Sequence, residues 1–306
     1  RGLAEYARAR YSPRPVIGIW GYPMHITPSG KACGALITGL DLSKPLPANT
    51  LQDIRDAWLE HHVLAFPNQN LSDDDLVRVT QEFGGVGDDP FFVPIDKKTP
   101  VVALTRRADE QAPVFAENWH TDWSFKKHPP IGTCLYSLVV PPVGGNTGFT
   151  NQQLALAQMP RELRRRLEGK VALHSAAAAY GPQGTYGEKD QGNDRSMKIL
   201  FSEQANHSEP HPIIAKHPES GRETLFGTVG YIHTIVGLEE AESQRLIMDL
   251  YAWQIREEFQ YIHEWEPNML VIWDNRSVLH RAFGGYDGHA RELHRLTIAG
   301  NPALSL

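Results

Sequence analysis

Apolar positions along this chain recur with two periods, and the shorter one dominates. Apolar or alternating runs at 63–66, 101–105, 132–139, 171–175, 213–216, 224–229, 269–273 and 295–299 read as strands. Helical periodicity is confined to four stretches. In 50–61, Leu51, Ile54 and Trp58 share one face, and 72–83 opens with Ser-Asp-Asp-Asp before a stripe of Leu76, Val79 and Phe83. A third, 152–167, closes on Arg164, Arg165 and Arg166, a solvated basic end that suits a helix C-terminus. The fourth, 239–256, places Leu246, Leu250 and Trp253 at i, i+4 and i+7 after an acidic first turn. Short strands that outnumber helices, with Gly and Pro between them, predict a mainly β fold. The arrangement expected is a double-sheet jelly roll with α-helices on its outside, in preference to a doubly wound α/β sheet. No long repeat and no linker interrupts the pattern, so 1–306 is expected to be a single domain. The polar stretch 181–194 is expected to be a long mobile loop.

Composition narrows the function classes. The 306 residues are 41% apolar with a net charge of −6, enough for one large core and unlike a disordered chain or a basic nucleic-acid binder. The longest apolar runs, 134–142 and 269–273, fall far short of the roughly 18 residues that span a bilayer. Neither a nucleic-acid nor a membrane partner is expected. Cys33 and Cys134 are too few for a disulfide framework or a thiolate zinc site, whereas there are 14 histidines. Together with the lack of a secretory pattern after Arg1, this predicts a cytoplasmic protein. The 26 glycines and 22 prolines strengthen the lean towards β structure.

Candidate chemistry begins at Trp119-His120-Thr121-Asp122. On an extended chain, residues i and i+2 point to the same side, so His120 and Asp122 can share one metal. His280 lies just beyond the apolar run 269–273 and would complete a set of two histidines and a carboxylate. Such a set leaves adjacent positions open on an octahedral ion, which suits ferrous iron. A zinc hydrolase with the same three ligands is the rival enzyme class, and a jelly-roll binding protein with a vestigial metal site is the rival outside enzymes. An anion site beside the metal would separate these readings. Arg291 and Arg295 follow His280 by eleven and fifteen residues, and the planar guanidinium fork grips a carboxylate in a way that lysine cannot.

Further segments extend this pattern over almost the whole chain. They are Gly34-Ala35-Leu36-Ile37-Thr38-Gly39-Leu40-Asp41-Leu42, Gly144-Gly145-Asn146-Thr147, His211-Pro212 with His217-Pro218, and Trp273-Asp274-Asn275-Arg276 through Arg295. With Trp119-His120-Thr121-Asp122 they resemble the TauD/TfdA family, the taurine and 2,4-dichlorophenoxyacetate dioxygenases that use iron(II) and 2-oxoglutarate. The resemblance implies a double-stranded β-helix of the cupin-like kind. It implies His120, Asp122 and His280 as catalytic iron ligands, Arg291 and Thr147 as binders of the distal carboxylate of 2-oxoglutarate, and Arg295 as a contact to the substrate. It further implies O2 as cosubstrate, succinate and carbon dioxide as products, and a homo-oligomer, dimeric or tetrameric. The substrate implied is a small anionic organic molecule, aryloxyalkanoate- or other carboxylate-type, hydroxylated at a C–H bond with ether cleavage where that carbon bears oxygen. A sulfonate or alkyl sulfate ester is the alternative within the family.

Two departures from the family pattern stand out. The family's Gly-Gly-Asp-Thr reads Gly-Gly-Asn-Thr here, and Gly87 stands where the taurine enzymes place a substrate-binding histidine, which disfavours taurine. Leu173-His174-Ser175-Ala176 and His217-Pro218-Glu219-Ser220-Gly221-Arg222 look closer to the phenoxyalkanoate branch. His174, His211 and His217 read as hydrogen-bonded structural residues, His61-His62 as a polar helix end, and His294 as facing away from Arg295. Trp119, Trp273 and Tyr231 read as packing residues, with Phe125 or Tyr231 as candidates for the pocket wall.

Overall fold

The computed structural model describes residues 16–17, 23–304 and 306. Its strands are β1 (Val16–Ile17), β2 (Pro23–Pro28), β3 (Ala35–Thr38), β4 (Val63–Phe66), β5 (Val102–Arg106), β6 (Gly132–Val139), β7 (Thr147–Asn151) and β8 (Val171–Ser175). They continue as β9 (Ser208–Pro212), β10 (Ile214–Lys216), β11 (Glu223–Leu225), β12 (Ile232–Ile235), β13 (Gln260–His263), β14 (Leu270–Asp274), β15 (Val278–Ala282) and β16 (Arg291–Ile298). The helices are α1 (Ala48–His61), α2 (Asp73–Gly84), α3 (Gln152–Ala157), α4 (Arg161–Leu167), α5 (Ala177–Tyr180) and α6 (Glu240–Gln254).

A large sheet has the order β1-β2-β3-β4-β14-β6-β16-β5, and a smaller one, β13-β7-β15, supplies the opposing wall. Among the described residues all strand pairings are antiparallel except β3 with β4. The predicted jelly roll with flanking helices is the observed fold.

Strand alternation sorts the large sheet into two cores. Leu64 and Phe66 of β4, Cys134 and Tyr136 of β6, Leu270 and Ile272 of β14, and Leu296 and Ile298 of β16 face outward. They pack under Ile54 and Trp58 of α1 and Leu76, Val79 and Phe83 of α2, the stripes predicted from helical spacing. The intervening residues Val63, Ala65, Leu135, Val271, Trp273 and Leu293 face inward and meet Phe149 of β7 and Val278 of β15. The metal-ligand candidates sit at the mouth of this inner layer. A third cluster seats Leu246, Ile247 and Leu250 of α6 on Ala172 of β8 and on Ile232 and Ile235 of β12.

Four expectations need revision. The single helix 152–167 is broken into α3 and α4 at Met159-Pro160, because Pro160 offers no N–H and disfavours helical backbone before it. The run 224–229 is a strand only to Leu225. The strand placed at 295–299 begins at Arg291, in a stretch whose charged residues hide its alternation. The stretch 181–194 is folded: it contains a 3₁₀ turn, Glu188–Gly192, held by the Asp190 carboxylate, which accepts from Asn193 and pairs with Arg195 at 3.0 Å.

Candidate active site

The segment 119–123 lies against β15, where the amide of His120 donates to the carbonyl of His280 at 2.9 Å and the reverse bond is 2.7 Å. This one bridge sets the two imidazoles side by side, with ring centroids 4.2 Å apart. Asp122, two residues along, points to the same side: its carboxylate oxygens lie 3.8 Å from His120 Nε2 and 3.7 Å from His280 Nε2. One ligand atom from each of the three lies within 4.8 Å of the others.

Protonation suits a metal. The Asn118 carbonyl can only accept, so His120 Nδ1, 2.8 Å away, carries the ring proton and leaves the Nε2 lone pair facing Asp122. Burial lowers the pKa of both histidines and keeps them neutral. Burial acts the other way on Asp122, yet Arg295 and the two imidazoles outweigh it and hold the carboxyl well below the usual range. Two neutral imidazoles and an ionised carboxylate are the donor set that ferrous iron takes, so these residues fit that ion.

Asp122 is oriented from behind. Thr133 of β6 donates its hydroxyl to Asp122 Oδ2 at 2.7 Å, and Asn275 Nδ2 donates to the Thr133 oxygen at 3.0 Å. Arg295 lies 3.0 Å from Asp122 Oδ1, and its guanidinium also reaches Asp89 at 3.3 Å.

All six residues singled out from the sequence, His120, Asp122, Thr147, His280, Arg291 and Arg295, line one cavity. Arg291 and Arg295 share the inner face of β16 because they are separated by an even number of residues, while His294 turns outward to Asp73 of α2 at 2.6 Å. Arg291 differs from every other arginine of the cavity. Arg106 pairs with Glu110, Arg195 with Asp190, and Arg295 with Asp122 and Asp89. Among the described residues no carboxylate pairs with Arg291, whose pKa burial pushes down to about 10. A Cβ at Gly145 would come within 3.3 Å of Arg291 Nε and 2.9 Å of Pro141, so glycine there lets the loop close over the guanidinium. Thr147 accepts the Trp265 indole N–H at 3.0 Å, which leaves its own hydroxyl proton free to donate.

The other histidines are accounted for elsewhere. His174 Nδ1 meets Ser124, His211 meets the Lys126 carbonyl, and His217 lies 3.0 Å from Asp274 Oδ2. His62 caps α1 with a left-handed backbone but is no cation, since burial pushes its pKa down to about 3. Trp119 and Trp273 are buried packing residues, and Tyr231, also buried, both packs on Phe125 and lines a second cavity outside the first. The segment after Phe83 reaches the site with Asp89, not Gly87, whose amide is bound to the Thr297 carbonyl at 2.8 Å. Asp89, Thr133, Asn275 and Trp265 were not singled out from the sequence. Asn275 falls within the quoted Trp273-Asp274-Asn275-Arg276 segment without a role of its own, and the others act through partners elsewhere in the chain that no local motif marks.

The chain matches the family model described as taurine catabolism dioxygenase TauD, TfdA family, over residues 25–297. It is 33% identical over 269 residues to an alkylsulfatase of Acinetobacter baylyi, covering 87% of this chain and 82% of that protein. It is 30% identical over 284 residues to an (S)-phenoxypropionate/alpha-ketoglutarate-dioxygenase of Sphingobium herbicidovorans, covering 91% and 96%. A solved taurine dioxygenase from Burkholderia xenovorans superposes with a TM-score of 0.74 at 26% identity, covering 91% of this chain and 90% of that one.

Proposed function

This chain belongs to the taurine catabolism dioxygenase TauD, TfdA family, and from that membership we propose how its own residues divide the work. The protein is an iron(II)- and 2-oxoglutarate-dependent dioxygenase that uses O2 and forms succinate and carbon dioxide. Iron, when bound, supplies the redox chemistry that couples decarboxylation of 2-oxoglutarate to oxygen insertion at a substrate C–H bond.

His120, Asp122 and His280 hold the metal. Arg291 takes the far carboxylate of 2-oxoglutarate, with the Thr147 hydroxyl as a second donor. The observation that carries this division is the buried, unpaired guanidinium of Arg291 beside the triad, since a buried cation without a counter-ion is a site prepared for an anion. Zinc-dependent hydrolysis uses no second carboxylate cosubstrate and so does not by itself call for such a group. We take residues 1–306 to act as one catalytic domain.

The substrate is a small anionic organic molecule of the aryloxyalkanoate or other carboxylate type. Hydroxylation of a carbon bearing an ether oxygen gives a hemiacetal-type product that collapses to a carbonyl compound and an alcohol or phenol. The second reading, a sulfonate or alkyl sulfate ester, is favoured by the alkylsulfatase relative. Arg295, which lines the same cavity as the triad, is the candidate contact to the substrate's acidic group.

An anaerobic visible spectrum tests the site and the substrate class together. Protein with iron(II) and 2-oxoglutarate is expected to show a charge-transfer band that shifts with one member of a panel of aryloxyalkanoates, sulfonates and sulfate esters. Bound iron without a band would overturn the assignment of the cavity to 2-oxoglutarate.

A further inference from the structure

Two cavities meet at His120, Phe115, Ala116 and Tyr180. The outer one is walled by Tyr180, Tyr186, Tyr231 and Tyr251, and no Asp, Glu, Lys or Arg lines it. The inner one carries four arginines, of which only Arg291 lacks a protein carboxylate among the described residues. If Arg291 is taken by 2-oxoglutarate, every arginine left is paired, and Arg295 is the one that touches a metal ligand, Asp122, and so offers a substrate anion charge beside the triad.

That charge is heavily attenuated. The Arg295 guanidinium is almost fully buried, with Asp122 on one edge at 3.0 Å. Asp89 lies 3.3 Å from both its Nε and its second terminal nitrogen. The rings of Phe92 and Trp123 flank it, each between 5 and 6 Å away. Asp89 is itself fixed, because the Trp123 indole N–H donates to the same carboxylate oxygen at 2.6 Å. Metal binding already engages Asp122. Asp89 has no such task, and it does not line the cavity; among the described residues its carboxylate bonds to Arg295 and Trp123.

We propose that Asp89 is a positioning residue for substrate selection: it holds Arg295 in place and cancels charge that an acidic substrate group would otherwise meet. The inference rests on the cavity assignment above for the direction from which substrate approaches. Binding then falls chiefly to the uncharged tyrosine-walled entrance, which favours substrates with a large aryl or alkyl portion over compact acids of high charge density. Removing a carboxylate beside an anion site takes away a like charge and strengthens anion binding as long as the arginine keeps its place, whereas general damage to the site weakens it.

The experiment is calorimetric and anaerobic, on protein loaded with iron(II) and 2-oxoglutarate, so no turnover is read. Wild type, Asp89→Asn and Asp89→Ser are titrated with phenoxyacetate, with inorganic sulfate and with the neutral phenoxyethanol. In the variants, phenoxyacetate and sulfate are expected to bind roughly tenfold or more tightly, with phenoxyethanol changed by less than about twofold. Adding Arg295→Gln to Asp89→Asn is expected to erase the gain. Unchanged or weaker anion binding in whichever uncharged variant folds would overturn the inference, as would a gain that survives loss of Arg295. Titration of 2-oxoglutarate into wild type separates the failures: weak binding there sinks the cavity assignment, while tight binding there with no anion gain in the variants sinks the role of Asp89.

Discussion

Asp122 is ionised at a place where burial alone would favour its neutral form, and that state is the work of particular neighbours. Arg295 supplies the opposing charge, and the Thr133 hydroxyl fixes which oxygen faces which imidazole. Losing a group that orients a metal ligand typically weakens metal affinity by about 10- to 100-fold. Thr133→Val keeps the shape of the side chain and removes the hydroxyl, so metal affinity is expected to fall by about 10- to 100-fold with the fold retained. Competitive titration of iron(II) against a chelator measures this; unchanged affinity would mean that Arg295 alone orients the carboxylate. At the other end of the cavity, Arg291→Gln removes the unpaired cation. The affinity for 2-oxoglutarate is expected to weaken by about 2–5 kcal/mol in binding free energy, while iron affinity in the absence of 2-oxoglutarate stays as it was.

At the scale of elements, legibility followed how far apart the cooperating residues lie. The outer core was readable because Ile54 and Trp58, or Leu76, Val79 and Phe83, announce their shared face within one helix. The ligands His120 and Asp122 were readable for the same reason, and His280 because an apolar strand precedes it. The start of β16 was not: Arg291, Glu292, His294 and Arg295 look like a surface segment, and only the charges of the cavity explain why two arginines point inward. Asp89 was still less visible, since nothing near it in sequence announces a partner at Arg295. The bridge between His120 and β15 depends on a detail of β7 that sequence periodicity also hides. A Cβ at Gly148 would lie 2.7 Å from both the Trp119 and Phe283 rings, and Gly148 pairs with Arg281, next to His280. Gly148→Ala is therefore expected to push Trp119 away and shift the segment carrying His120. A loss of about 1–3 kcal/mol in unfolding free energy is expected, together with weaker iron binding. Denaturant unfolding with and without iron(II) checks it: if the deficit is the same in both, the strand is strained and the metal site is not.

Across the whole molecule, the same burial that keeps the two ligand histidines neutral keeps other histidines uncharged, and this makes the fold sensitive to mild acid. His62 and His174 have pKa values pushed down to about 3 and His263 to about 4, in each case chiefly by burial. An unfolded histidine takes up its proton near pH 6.5. Between that pH and the depressed folded values, the unfolded chain binds more protons than the folded one, so stability falls as pH falls through this window. Each such histidine contributes a slope of up to about 1.4 kcal/mol per pH unit. Asp274 acts with the same sign but lower on the scale. Burial opposes its ionisation, yet Arg276 and His217 hold it charged, so its share is lost only below about pH 4. His62 is the cleanest place to test this. It lies outside the metal-ligand set, on the C-terminal cap of α1, with Nδ1 3.0 Å from the Ser277 hydroxyl. His62→Gln keeps a polar side chain that does not titrate, so it is expected to lower stability at pH 7.5 by losing a fitted hydrogen bond while flattening the decline between pH 6.5 and 5 by about one proton's worth. Urea unfolding at several pH values reads both effects. A variant that declines as steeply as the parent would show that His62 takes up its proton in the folded state as readily as in the unfolded chain.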